Sequence, residues 1–352
     1  MKSVVKNNNW HEVALRLASV VSRERLHPAV VQWTAGDSAA RRSWVVAFSG
    51  GADSLALLLL LWAHWPERRD RLLVLHFNHR LRGRESASDA VFCRRVCASL
   101  GIDFITESWA GATKRVSEAE ARAVRFAFFE RSLSRRRAAA LWFGHQQDDI
   151  AETALMRLAR GSGTAGLAAP RPLQAMSARR LHLRPLLTLK KAEIVAALQS
   201  VGAVWREDAS NETGDYFRNR IRREVLPGWL AASGERDALA GAALSRERLE
   251  EDDAALEAWV DELAPLDRSG RLDLRVLAGK PRAIVRRALH RWLGEQADTG
   301  DLSRQGFELL LAAVEQGAAT RFSLGRSGFA VIRKGVLFFE KTPRGRSASR
   351  RK

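Results

Sequence analysis

Cysteine is scarce in this 352-residue chain, with only Cys93 and Cys97. Two cysteines make no disulfide framework, so the chain fits a reducing compartment. Their C-x-x-x-C spacing is one turn of an apparent helix, and no histidine or third cysteine is placed to complete a metal site. Both are expected as small, half-buried residues. Long apolar runs are also missing. The longest, Leu55 to Trp65, falls far short of the roughly 20 residues that span a bilayer. The opening MKSVVKNNNWHEV lacks the apolar core of a signal peptide. These absences predict a cytoplasmic protein with no membrane partner. Acid is short as well: 40 Asp+Glu stand against 58 Lys+Arg, a formal net charge of +18. That balance points to a polyanionic partner, most simply nucleic acid bound through counterion release. Arginine is spread along the whole chain, so a solvated basic surface is the plain alternative. Neither an internal repeat nor a G-x-x-x-x-G-K-[ST] phosphate loop occurs.

What is present is a chain long enough for two domains, with 46% hydrophobic residues to build cores. Apolar runs at 44–48, 71–78, 102–106 and 139–144 read as strands. They alternate with helical stretches at 53–65, 85–100, 117–134 and 148–158. Ser117 and Glu120 stand at capping-box spacing. This alternation predicts an α/β fold with a doubly wound parallel sheet. Residues 161–180 are rich in Gly, Pro and Ser and read as a flexible loop. Helices are expected at 188–201 and 219–232, the latter broken at Pro227. Residues 1–235 are taken as the first domain. From 236 to 340, long charged helices lead into short β-like segments at 321–325, 329–334 and 336–341, giving a smaller α+β C-terminal domain. Residues 341–352 carry six basic groups and no acid, and are expected as a disordered basic tail.

Ser49-Gly50-Gly51-Ala52-Asp53-Ser54 stands where the first strand turns into a helix. Open α/β sheets bind ligands at that end of a strand. Two glycines let the backbone approach an oxyanion, and the following N–H groups and the helix dipole point at it. Ser49 and Ser54 can add hydroxyl donors. Asp53 would repel phosphate unless a Mg²⁺ lay between them. Two decoys fail on context. Gly161–Gly166 spells G-x-G-x-x-G but follows a helix and precedes Pro170 and Pro172. Ala47–Gly51 resembles a nucleophile elbow, yet neither His182 nor His290 sits in a convincing strand-end loop to complete a hydrolase.

A second constellation, Gly144 to Thr153, begins at the end of the fourth strand. Asp149 and Glu152, three apart, share one face of the following helix. If the fourth strand lies beside the first, that face meets the phosphate loop, where paired carboxylates could hold Mg²⁺ or an ammonium. Ordinary acidic capping of a helix is the alternative.

The ordered set of motifs resembles the tRNA(Ile)-lysidine synthetases, within the PP-loop group of N-type ATP pyrophosphatases. It runs S-G-G-x-D-S at 49–54, Asn78-His79-Arg80-Leu81-Arg82, Glu118 to Phe126 with Arg122 and Arg125, and the block starting Gly144-His145. Arg160–Gly163, R-P-L-L at 184–187, Asp208–Asn211 and Arg218–Arg222 follow. The resemblance covers about 44–222 in order. Gln146 stands where a second histidine is common in that family, and the chain ends where longer members carry a further domain.

The resemblance implies an adenine nucleotide alpha hydrolase-like fold and a ligase that uses ATP and Mg²⁺. ATP would adenylate C2 of the anticodon wobble cytidine of a tRNA(Ile) with a CAU anticodon. Free L-lysine would then displace AMP. Residues Ser49, Gly50, Gly51, Ala52, Asp53 and Ser54 would bind ATP, and Asp53, Asp149 and Glu152 would be catalytic. Asp53 and Asp149 would hold Mg²⁺; whether Asp149 and Glu152 face lysine or metal stays open. His79, Arg82, Arg122, Arg125, His145, Arg218 and Arg222 would contact ATP or tRNA. A homodimer stays open too. The rivals are another PP-loop enzyme (a tRNA thiolase or an NAD synthetase-like protein) and a non-catalytic RNA-binding protein.

Overall fold

The computed structural model describes residues 9–36, 42–79, 84–109, 117–138, 140–177, 180–207, 217–296, 302–325 and 328–342. The chain divides into two compact units, Met1–Glu250 and Glu251–Lys352. The division falls inside the helix Ala238–Leu263, whereas the change in composition begins near 236.

The first unit is built on strands β1 (Trp44–Ala47), β2 (Leu72–Asn78), β3 (Asp103–Ser108), β4 (Ala140–Trp142), β5 (Leu173–Ser177) and β6 (Arg180–Leu183). They form one sheet in the order β3-β2-β1-β4-β6-β5. Every pairing is parallel except the edge pair β5 and β6. This is the α/β class expected. The central strands are apolar on both faces, as a covered parallel sheet requires. Alternate residues go to opposite cores. Trp44, Val46, Val74 and Trp142 pack on one side, with Leu55–Trp62, Val96 and Leu198. Val45, Leu73, Leu75 and Leu141 pack on the other, with Phe128, Phe129 and Leu133.

Helices α1 (Trp10–Val20), α2 (Ala52–His64), α3 (Arg84–Leu100), α4 (Glu118–Arg136) and α6 (Lys191–Ser200) supply those covers, while α5 (Gln147–Leu158) packs its Ala151 with Leu226 and Leu239 in a separate small cluster. Ten of the thirteen residues of α2 are buried, so it reads as a nearly continuous apolar run rather than a stripe. Ser117 caps α4 by accepting the Glu120 N–H at 3.1 Å. Cys93 and Cys97 are fully buried in the α3 face of the core, rather than half-buried, and burial pushes both thiols up, Cys97 to about 12.

Two segments differ from the sequence expectation. The stretch 161–180 holds a short helix, Thr164–Leu167, and strand β5. β5 (LQAMS) is a half-exposed edge strand with little apolar content, which is why periodicity misses it. Nor does Pro227 break its helix. The chain passes from Phe217–Arg220 through a π turn, Ile221–Val225, into Leu226–Ala232. The wider turn accommodates a proline that has no N–H to donate.

The second unit packs helices Arg282–Glu295 and Arg304–Gln316 with a four-stranded antiparallel sheet, order β7 (Leu272–Asp273), β10 (Val336–Lys341), β9 (Gly328–Arg333), β8 (Thr320–Ser323). Trp292, Leu310, Leu311 and Leu337 lie at its core. Among the described residues no helix is long and apolar enough to cross a membrane. Residues 343–352 of the expected basic tail lie outside the described residues.

Candidate active site

β1 and β4 are neighbours, while β2 and β3 continue the sheet from the far side of β1. The loops leaving β1 and β4 therefore lie side by side where the strand order reverses, the place open α/β sheets use for ligands. The expected juxtaposition of the two constellations is present.

Leaving β1, Phe48 still donates its N–H to Leu75 of β2 at 3.0 Å. The chain then turns through Ser49–Gly51 into α2. Gly50 has φ +92°, and a Cβ there would stand 3.1 Å from Cys93 Sγ, so conformation and space both require glycine. The serine hydroxyls knit the turn. Ser54 Oγ donates to the Gly51 carbonyl at 3.0 Å and accepts from the Ser49 N–H at 3.3 Å. Ser49 Oγ lies 3.0 Å from Ser54 Oγ and accepts from the Gly51 N–H. From outside, the Arg206 N–H donates to Gly50 O at 2.9 Å, while its side chain pairs with the buried Asp89 of α3 at 2.8 Å. The result is a braced turn at the N-terminus of a thirteen-residue helix, a cradle for anionic oxygens.

The exit from β4 is pressed against this turn. A Cβ on Gly144 would stand 2.7 Å from the Asp53 carbonyl oxygen and 3.0 Å from the Ser54 nitrogen. Both are backbone atoms, so only glycine fits. Gln146 then caps α5, its side-chain oxygen accepting from the Asp148 N–H at 2.5 Å, and Asp149 Oδ2 accepts the Gln146 N–H at 3.0 Å. Asp149 and Glu152 are buried, at 6% and 1% exposure. Arg218 donates to Asp149 Oδ1 at 2.5 Å and to Glu152 Oε2 at 2.8 Å. Arg222 donates to Glu152 Oε1 at 2.5 Å and to Oε2 at 3.0 Å. Four predicted site residues are thereby joined in one network, with all four carboxylate oxygens occupied. Two guanidiniums offset the charge of two acids that burial alone would penalise heavily.

Asp53 stands on different terms. Its Oδ1 is buried and has no hydrogen-bond partner among the described residues. Burial, and then the carboxylate of Asp149, push its carboxyl up to about 6, against the pull of Lys191 and Arg222. Such a carboxylate is chemically suited to a cation. Among the described residues no group of three or more His, Cys, Asp or Glu is placed to hold a metal ion. A Mg²⁺ here would take one or two carboxylates and draw the rest of its shell from phosphate and water, which is how that ion commonly binds. The orphaned Asp53 oxygen fits that role.

A basic group surrounds His145. Arg184, at the end of β6, donates from Nε to His145 Nδ1 at 3.0 Å. Burial first, then Arg184, Arg218, Arg122 and Arg125, lower the imidazole pKa well below its ordinary value. Arg122 and Arg125 lie over the Phe126 ring, at 4.6 and 5.7 Å. His79, just past β2, meets Phe77 and Trp109 edge-on, with centroids 4.8 and 6.3 Å away. Arg82 and 208–211 lie outside the described residues.

A family profile for a PP-loop domain, of ATP-binding type, matches residues 22–229, more than half of the chain. The chain belongs to the PP-loop family. Curated relatives of this PP-loop chain include the tRNA(Ile)-lysidine synthase of Geobacter sulfurreducens, 35% identical over 279 residues, covering 75% of this chain and 57% of that protein. The enzymes of the same name from Solibacter usitatus and Chlorobaculum tepidum are 41% and 40% identical over 52% of this chain. The matches cover 40% and 55% of those proteins. The PP-loop chain thus spans about half the length of the relatives it matches. Among solved structures, the U34-tRNA thiolase NcsA from Methanococcus maripaludis superposes with a TM-score of 0.50 at 17% identity, over 68% of this chain and 78% of that one. At that identity the likeness speaks for the PP-loop fold alone.

Sequence reasoning passes over several residues of this PP-loop site. Gly144 has a signal, a glycine ending a strand before a polar block. Arg184 opens the R-P-L-L element but carries no expected role there. Lys191 has none: its N–H donates to Asp148 Oδ2 at 2.9 Å, and its charge acts on Asp53. Arg206 reaches the loop from 156 positions along the chain, and only the fold brings it there.

Proposed function

We propose that this chain is an ATP-dependent tRNA-modifying ligase that joins lysine to C2 of the wobble cytidine of a tRNA(Ile) with a CAU anticodon. What carries the reading is the phosphate cradle of 49–54 set against a buried acidic pair on the helix that follows the neighbouring strand, in a chain whose curated relatives bear the name tRNA(Ile)-lysidine synthase.

In the first step the C2 oxygen of cytidine attacks the α-phosphorus of ATP, and pyrophosphate leaves. The cradle orients the phosphates with backbone N–H groups that need no rearrangement as charge shifts toward the leaving oxygens. Asp53, with Asp149 as a second ligand, would hold Mg²⁺, which when bound offsets charge on the pyrophosphate. In the second step the ε-amine of lysine attacks C2, the C–O bond to AMP breaks, and the nitrogen gives up its proton to a carboxylate of the acidic pair. Glu152, and Asp149 where Mg²⁺ does not take it, are the acids that would attract the lysine ammonium. Since Arg218 and Arg222 already occupy them, the incoming ammonium competes with these guanidiniums, and the released arginines become available for phosphate. Arg122, Arg125 and His145 complete the anionic-ligand side, with His79 and Arg82 as tRNA contacts. The cytoplasm is the compartment that supplies ATP, lysine and tRNA together.

The test is incubation with tRNA(Ile) bearing CAU, Mg²⁺, ATP and radiolabelled lysine. Acid-precipitable label that needs ATP and vanishes in Asp53→Asn is the expected result. ATP cleavage to AMP without lysine incorporation would leave the PP-loop chemistry and refute lysine as the nucleophile.

A further inference from the structure

Arg184 is 5% exposed, and among the described residues it makes no ion pair. Its three hydrogen bonds all go to neutral acceptors: His145 Nδ1 at 3.0 Å, the Arg171 carbonyl at 2.7 Å and Gln174 Oε1 at 3.0 Å. Its guanidinium also lies 5.6 Å from the centroid of Phe143. A buried cation held only by neutral acceptors is costly, so its placement asks for a reason. The bond to His145 supplies one.

A guanidinium nitrogen donates and cannot accept. His145 Nδ1 must therefore present its lone pair, which leaves the ring proton on Nε2. A doubly protonated ring would set N–H against N–H. The surroundings agree, because the charged groups acting on this ring are Arg184, Arg218, Arg122 and Arg125, and each disfavours a further positive charge. Phe143 stacks on the ring at 5.5 Å and fixes its plane. No described protein group accepts from Nε2, and the residue is partly exposed. The arrangement is a neutral N–H donor at the end of β4, next to the phosphate cradle and ringed by cations.

We propose that Arg184 is a positioning residue that locks His145 as the neutral Nε2–H tautomer, making His145 a hydrogen-bond donor to a negatively charged oxygen of the bound substrate and not a general base. Such an oxygen belongs either to a nucleotide phosphate or to the adenylated base. Donation from a neutral ring surrounded by guanidiniums adds direction without adding a fifth charge to the pocket. The proposal rests on the PP-loop site and not on lysine as the nucleophile, so the two readings can fail separately.

The measurement is nitrogen-detected NMR of the full chain labelled with ¹⁵N-histidine, with the His145 signals assigned by their loss in His145→Gln. The wild type should show an unprotonated Nδ1 and a protonated Nε2, unchanged from about pH 6 to 8.5. Arg184→Met should mix the tautomers or make the ring titrate within that window, and Arg184→Lys, which can still donate to Nδ1, should restore the wild-type pattern. A shift of the Nε2–H on adding a non-hydrolysable ATP analogue assigns the oxygen to the nucleotide; a shift only on adding tRNA with that analogue assigns it to the base. In pyrophosphate release, Arg184→Met should lose about 100-fold in kcat with a smaller change in KM for ATP. It should also gain an acid limb in its pH profile that wild type and Arg184→Lys lack. A wild-type ring that carries its proton on Nδ1, or titrates near its ordinary value, overturns the proposal whatever the variants do. So does an Arg184→Met protein with unchanged tautomer and pH profile.

Discussion

Asp53 and Glu152 follow adjacent strands of the same sheet, and both are carboxylates sheltered from water, yet they are held in opposite ways. Glu152 receives three guanidinium hydrogen bonds from two arginines, and Asp149 beside it is filled by one more and by a backbone N–H. Asp53 has an oxygen that nothing among the described residues satisfies and a neighbouring acid that discourages its charge. One station is complete without ligand; the other keeps a carboxylate oxygen for the cation proposed above. A folded protein tolerates the second kind where the missing partner is part of its work.

That contrast predicts substitutions of opposite sign. Glu152→Ala should be the most damaging, because it removes the carboxylate that Arg218 and Arg222 share; a loss of about 3–5 kcal/mol is expected in urea unfolding. Asp53→Asn should go the other way. A carboxyl raised from 3.8 to about 6 in the fold is better tolerated protonated than ionised. It therefore weakens the protein progressively as pH rises through that window, and in full above it. The amide should raise stability on the order of 2–3 kcal/mol at pH 7.5 and bring little at pH 4, while abolishing pyrophosphate release. A destabilised Asp53→Asn would break the comparison outright. Gly144→Ala tests whether the stations are mechanically joined. Its methyl group must displace the backbone of Asp53 and Ser54, so about 2 kcal/mol of stability should go, together with a higher KM for ATP. The smallest effect belongs to Arg222→Lys, which keeps the charge but gives up the paired geometry on Glu152, at about 1 kcal/mol.

The sequence shows these stations unequally. The phosphate turn is legible because strand, turn and helix follow one another directly from Trp44 to His64, and each glycine or serine answers a local demand. The spacing of Asp149 and Glu152 is equally local, and so is the Ser117 cap. What fills the acids is not local. Arg218 lies 66 residues from Glu152 and follows a segment with no strong pattern; read by itself, an arginine near R-N-x-I-R suggests phosphate as readily as carboxylate. Arg184, Lys191 and Arg206 stay silent for the same reason: each acts through a contact that only the packed sheet creates. Strand β5 escapes because an edge strand carries too few apolar residues to announce its period. In the C-terminal unit, the pairing of buried Asp253 with Arg287 at 2.6 Å across 34 positions is hidden in the same way.

The unpaired oxygen of Asp53 has a calorimetric consequence. With its carboxyl near 6 in the empty protein, a cation arriving there pulls the value down and expels whatever proton the group still carries. Nucleotide loading should then release close to one proton per site below pH 6 and almost none at pH 8. Its apparent heat at pH 6 should depend on the ionisation enthalpy of the buffer, and that dependence should vanish in Asp53→Asn.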